Sequence, residues 1–292
     1  MRRVFALIAC ALAASTLDWS ASAQAAAPAA TEQRLTRITI RSVGDGPAIV
    51  LIPGLASPAA VFDGVTAKIG PNHRLVLVQV NGFAGSKAGD APLDGLLPGA
   101  VDELAGWLAA NHIEKPAVIG HSMGGLMALM LAEAHPAATG KLLIVDSLPF
   151  YGMLMGPGAT PEAIRPAVEQ MRAGLVSGKI APAVPPHMSN TDAGKAKILE
   201  WQKSSDPRIV GEALVEDATT DFRPDLPALV NVPVTVLYAA PTPEFKPMAD
   251  GLYREAYKAL PNAKLIAVEG SEHFIMLDQP DRFDQEVETF LR

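Results

Sequence analysis

The chain has 292 residues, 49% of them hydrophobic and 19% charged, with a formal net charge of −7. This composition excludes disorder for most of the chain and supplies enough core for one large domain or two small ones. An acidic balance without a basic cluster argues against nucleic acid and anionic membranes as partners.

In chain order, Arg2 and Arg3 precede the apolar run Val4–Leu17, and Ala21-Ser22-Ala23 comes before Gln24. This pattern predicts a signal peptide over residues 1–23, and hence a periplasmic or secreted protein. The run is too short to form a stable membrane span. Leu7-Ile8-Ala9-Cys10 also matches a lipoprotein box, which would leave a lipidated Cys10, and Arg2-Arg3 with Phe5 has a faint twin-arginine character. Cys10 is the only cysteine, so cleavage leaves a chain with neither a thiol nucleophile nor a cysteine-bound metal.

Residues 24–32, rich in Ala and Pro, are expected to be a flexible leader. Apolar and β-branched runs then predict strands at Leu35–Arg41, Ala48–Ile52, Leu75–Val80, Ala117–Ile119, Leu142–Val145, Val234–Tyr238 and Leu265–Val268. Helical patterns between them cover Val101–Ala110, Leu126–Ala134, Leu252–Leu260 and Phe283–Leu291. This alternation implies an α/β domain with a mostly parallel central sheet and helices on both faces, and ligands beyond the carboxyl ends of the strands.

The alternation breaks at about 148–231, where helical patterns near Pro161–Leu175, Lys195–Gln202 and Ile209–Ala218 predict a helical cap. Met153, Met155, Met171 and Met188 could line its underside or fill its own core.

Gly120-His121-Ser122-Met123-Gly124-Gly125 lies where a strand pattern gives way to a helical one. A sharp turn there leaves no room for a Cβ at Gly120 or Gly124 and holds Ser122 exposed at the top of a sheet, as a nucleophile requires. A serine capping the following helix is the plainer alternative.

Four segments in order, Leu51-Ile-Pro-Gly-Leu55, Asn81-Gly-Phe-Ala-Gly-Ser86, Gly120–Gly125 and Gly270-Ser-Glu-His273 through Pro280, resemble the α/β-hydrolase fold family over residues 33–292. The resemblance implies a serine hydrolase with Ser122 as nucleophile and His273 as general base. It places the oxyanion hole at the backbone N–H groups of Leu55 and Met123. Pro53 stands where many relatives have His, a tolerable departure because backbone groups do the work.

The acid stays open. Most relatives carry an Asp after the strand equivalent to Val234–Tyr238, but this chain continues Ala239-Ala-Pro-Thr-Pro243-Glu244. Asp146, after the strand Leu142–Val145, could serve, as in some members of the family, or it could merely cap the turn Asp146–Pro149. Glu244 could reach back, or no strong acid exists.

No cofactor is implied, and no histidine pair has the helical spacing of metal ligands. The expected substrate is a small carboxylic ester or lactone, apolar if the cap is. Acyl transfer, amide or C–C hydrolysis on the same residues, and a slow ligand-binding member of the fold, are the alternatives.

Overall fold

The computed structural model describes residues 30–90, 92–156 and 158–292. The expected signal peptide lies outside the described residues. Strand begins at Thr31, so the leader expected over 24–32 does not run to its predicted end.

Eight strands form one sheet: β1 (Thr31–Arg34), β2 (Ile38–Val43), β3 (Ala48–Ile52), β4 (Arg74–Val80), β5 (Ala117–His121), β6 (Lys141–Val145), β7 (Val234–Ala240) and β8 (Lys264–Glu269). Their spatial order is β1-β2-β4-β3-β5-β6-β7-β8. β1 and β2 run antiparallel to their neighbours, and every pair from β4 onward is parallel. Sequence patterning did not indicate β1, because its four residues, Thr-Glu-Gln-Arg, are all exposed and offer no apolar face.

The helices are α1 (Asp63–Ile69), α2 (Leu96–Ala110), α3 (Met123–Ala134), α4 (Pro161–Val176), α5 (Asp192–Ser204), α6 (Pro207–Thr219), α7 (Lys246–Ala256), α8 (Ile275–Asp278) and α9 (Pro280–Leu291). The period-two alternation of strand side chains divides the core. In β3, Val50 and Ile52 join the cluster under α2, α3 and α7, while Ile49 and Leu51 join the one under α1 and α9. Two-sided cover explains why these strands read as continuous apolar runs. Among the described residues no helix is long and apolar enough to cross a membrane.

Between β6 and β7 the expected cap appears as α4, α5 and α6. Thr160, Thr191 and Asp206 cap them, accepting from the N–H groups of Ala163, Gly194 and Arg208. Of the four methionines, Met155 and Met171 are exposed, and Met153 and Met188 pack against the core clusters.

Helix α6 is tethered at both ends to loops at the carboxyl edge of the sheet. The N–H of Asp206 donates to the carbonyl of Gly82 beyond β4 at 2.7 Å, and that of Phe222 to Pro149 beyond β6 at 2.8 Å. From its last turn, Glu216 accepts from the N–H groups of Leu96 and Leu97 at 2.8 and 2.6 Å. It thereby caps α2, whose own N-cap, Gly95, has no side chain to do so. Glu216→Ala should therefore lower stability by about 1–2 kcal/mol, read from the urea unfolding midpoint; an unchanged midpoint would remove this link from the cap's support.

Candidate active site

Ser122 occupies the junction of β5 and α3 with φ 54° and ψ −125°, a conformation L-residues rarely adopt. Two glycines make it possible. A Cβ on Gly120 would fall on the carbonyl oxygen of Gly124, and a Cβ on Gly124 on those of Ile52 and Pro53. The Ser122 N–H donates to the Val145 carbonyl at 2.9 Å, tying the turn to β6. The Ser122 side chain makes no capping bond to α3, so its hydroxyl is not engaged in holding the helix.

The turn after β3 lies against this elbow. A Cβ on Gly54 would come to 3.0 Å from the Cβ of Ser122 and 3.0 Å from Nδ1 of His121. Leu55 follows, and a positive φ of 55° at Ala56 completes the turn. Among the described residues neither the Leu55 nor the Met123 N–H donates to another main-chain group. Both are available as donors beside Ser122.

The structure joins His273 to Asp146. His273 lies in the loop after β8, and its Nδ1 is 2.7 Å from Oδ2 of Asp146, with both side chains mostly covered. Asp146 follows β6 at a positive φ of 44°. Its other oxygen accepts from the N–H of Ala239 at 2.8 Å and from the Tyr253 hydroxyl at 2.9 Å. Burial alone would push this carboxyl up; the hydrogen bond and charge of His273, with the Ala239 and Tyr253 bonds, outweigh it and hold it below the usual carboxylate range.

Among the described residues Glu244 makes no hydrogen bond to His273. It is exposed, and its carboxyl is drawn to its own backbone N–H and to Thr242. Ala239, within β7, donates its N–H to Asp146 one strand away.

Three contributors were not legible in the sequence. Tyr253, on the buried stripe Ala249, Tyr253, Ala256 of α7, stacks on Tyr238 with ring centroids 4.5 Å apart and aims its hydroxyl at Asp146. The predicted helix Leu252–Leu260 was displaced from the observed α7, which hid that stripe. His121 is fully buried, with its ring 4.7 Å from that of His273 and its Nε2 3.1 Å from the His273 carbonyl. Asp278 binds the Ser189 hydroxyl and the N–H groups of Asn190 and Glu272, fastening the loop before α5 to the His273 loop. Beside it the N–H of His273 donates to His187 and that of Phe274 to Met188. Only the i,i+4 spacing on α7 could have signalled any of these.

Among the described residues no group of three or more His, Cys, Asp or Glu side chains could hold a metal ion.

A model of the alpha/beta hydrolase family matches residues 49–286. The pimeloyl-(acyl-carrier protein) methyl ester esterase of Aeromonas hydrophila is 33% identical over 138 residues, 47% of this chain and 52% of that protein. The chain thus spans about half the length of that relative. The protein of the same name from Vibrio vulnificus is 26% identical over 259 residues, 85% of this chain and 95% of its own length. A thermophilic esterase from Thermogutta terrifontis superposes with a TM-score of 0.67 at 22% identity, covering 90% of this chain and 98% of the esterase. The enol-lactonase of Burkholderia xenovorans LB400 gives 0.69 at 20% identity, covering 87% and 96%. At these identities the two structures share the fold with this chain. A family match over most of the length, on a sheet with this strand order, shows that the chain belongs to the alpha/beta hydrolase family.

Proposed function

We propose that the chain is an exported serine hydrolase that cleaves carboxylic esters or lactones through an acyl-enzyme on Ser122. The observation that carries this reading is the 2.7 Å bond from His273 to the buried carboxyl of Asp146, beside a serine held in an elbow conformation. Export rests on the N-terminal sequence pattern alone. The esterase and enol-lactonase among its structural neighbours support an ester or lactone as substrate class.

In this scheme His273 takes the Ser122 proton at Nε2 while Asp146 fixes Nδ1–H and stabilises the imidazolium that forms. The Leu55 and Met123 N–H groups stabilise the developing oxyanion, each contributing about 3–4 kcal/mol to the barrier reduction. His273 then returns the proton to the leaving alcohol, and an activated water resolves the ester on Ser122. Among the described residues no hydrogen bond joins the Ser122 hydroxyl to His273; bonds of this kind often tighten only when substrate fills the site.

A fluorophosphonate probe should label the wild-type protein and fail to label Ser122→Ala; labelling that survives this change would place the nucleophile elsewhere. Asp146→Asn should lower kcat on p-nitrophenyl esters by at least about a hundredfold. Glu244→Gln should stay within about twofold, because an exposed carboxylate bonded to its own loop has no part in orienting His273.

The pH range of the scheme is also set by His121. Burial first, then the charge of His273, drives its imidazole from 6.5 down to about 3, against the pull of the His273 carbonyl. The unfolded chain therefore binds a proton that the folded one refuses, so stability is full above pH 6.5 and falls as pH drops toward about 3. By about pH 5 the loss is about 2 kcal/mol. His121→Gln, which can still donate to the His273 carbonyl but cannot titrate, should lose less stability than wild type between neutral pH and about pH 5, by that amount. Parallel urea unfolding curves for the two proteins at both pH values would refute a neutral His121.

A further inference from the structure

Helix α6 crosses above the site. Its tethers run from Gly82 beyond β4 to Pro149 beyond β6, and β3 and β5, which carry Leu55 and Ser122, lie between those strands. Thirteen residues span about 20 Å, enough for the three strand spacings of about 5 Å each. Ile209, Ala213 and Asp217, at i, i+4 and i+8, share one face. Ile209 and Ala213 are buried in the main core, and a Cβ on Gly82 would sit 2.8 Å from Cγ1 of Ile209, so this face looks down on the strand ends. Its last position is a carboxylate.

Asp217 is half-buried and, among the described residues, has no hydrogen bond or ion pair. Its neighbours on the helix are engaged: Glu216 caps α2, and Val215 and Ala218 pack with Phe150. The ionisable groups that face it are His273 and Tyr151, whose phenol is pushed up by partial burial and then by the Asp217 charge. Burial pushes the Asp217 carboxyl up to about 7, with His273 pulling the other way. Among the described residues no lysine or arginine compensates it. An uncompensated carboxyl crowded by protein is costly, and the cost is relieved when a donor from outside occupies it.

We propose that Asp217 forms a polar subsite over Ser122 that receives a hydrogen-bond-donating group, hydroxyl or ammonium, on the substrate. The inference rests on the hydrolase reading and replaces an apolar substrate with one bearing a donor at a distance from its scissile carbonyl. Anionic substrates are disfavoured, since their charge would meet the carboxylate.

The test compares p-nitrophenyl alkanoates with their ω-hydroxy and ω-ammonio counterparts, matched in chain length across a short series. The readout is the ratio of kcat/KM values, not the absolute rate. Wild type should favour a donor-bearing ester by at least about tenfold at one chain length, and Asp217→Leu should bring that ratio close to one. Asp217→Asn separates the two donors: it keeps a preference for hydroxyl, which an amide oxygen can accept, and loses one for ammonium. It also preserves shape if Asp217→Leu fails to fold. Wild-type turnover with no preference, or a preference that survives both substitutions, overturns the subsite and leaves the hydrolase reading standing. Absence of both ester turnover and probe labelling in the wild type overturns the hydrolase reading and the subsite with it.

Discussion

Asp146 accepts hydrogen bonds from three separate parts of the chain, and each donor depends on a different piece of the fold being in place. The Ala239 N–H requires β7 in register beside β6, the Tyr253 hydroxyl requires α7 packed across β7, and His273 requires the loop beyond β8. Taking a carboxylate out of water costs several kcal/mol, and a charged hydrogen bond returns about 1.5–3 kcal/mol. One bond would not hold this group ionised; three outweigh its burial, as its depressed pKa reflects. The sign of that balance has a consequence. Native contacts favour the ionised form, so this contribution to stability is present above the unfolded carboxyl's ordinary pKa and is lost as acid protonates Asp146 in the folded protein.

The same loop that carries His273 is held from the cap side. The N–H groups of His273 and Phe274 donate to His187 and Met188, and Asp278 gathers Ser189, Asn190 and Glu272 around one carboxylate. From below, the buried imidazole of His121 supports the His273 carbonyl and packs against its ring at a tilt. The imidazole is therefore fixed by the sheet, the cap and the strand before the elbow together. A site assembled in this way is preorganised, because the positions of its groups are set by packing before any substrate arrives.

What could be read in the sequence follows the range of the physics involved. The elbow was legible because its constraint is local: two missing Cβ atoms and a strand-to-helix change lie within six residues. The β3 strand Ala48–Ile52 was legible because apolar runs covered on both faces carry their own signature. Asp146 stayed open because its partner is 127 residues away and its role depends on β6 lying beside β7, which no local pattern encodes. Exposed β1 was lost for lack of an apolar face. No Asp follows Tyr238; instead the Ala239 N–H on β7 donates to Asp146 at the end of β6.

Two carboxyls feel the charge of one imidazole in this structure, and their surroundings move them in opposite directions. Asp146 has three donors that hold its carboxyl below the usual range; Asp217 has none among the described residues and is pushed up to about 7. Differences of this kind separate groups more sharply than residue type does, because both are aspartates that feel the charge of His273. The first belongs to the sheet, the part of the chain that the family fold defines. The second belongs to α6, in a cap inserted between β6 and β7, where fold constrains sequence least and substrate choice is free to vary. Among the described residues nothing hydrogen-bonds this carboxyl, while the helix that carries it is held firmly: α6 is pinned at Gly82, at Pro149 and through Glu216 to α2. Rigid support around an unsatisfied group is the arrangement by which a fold keeps a binding position open for a ligand.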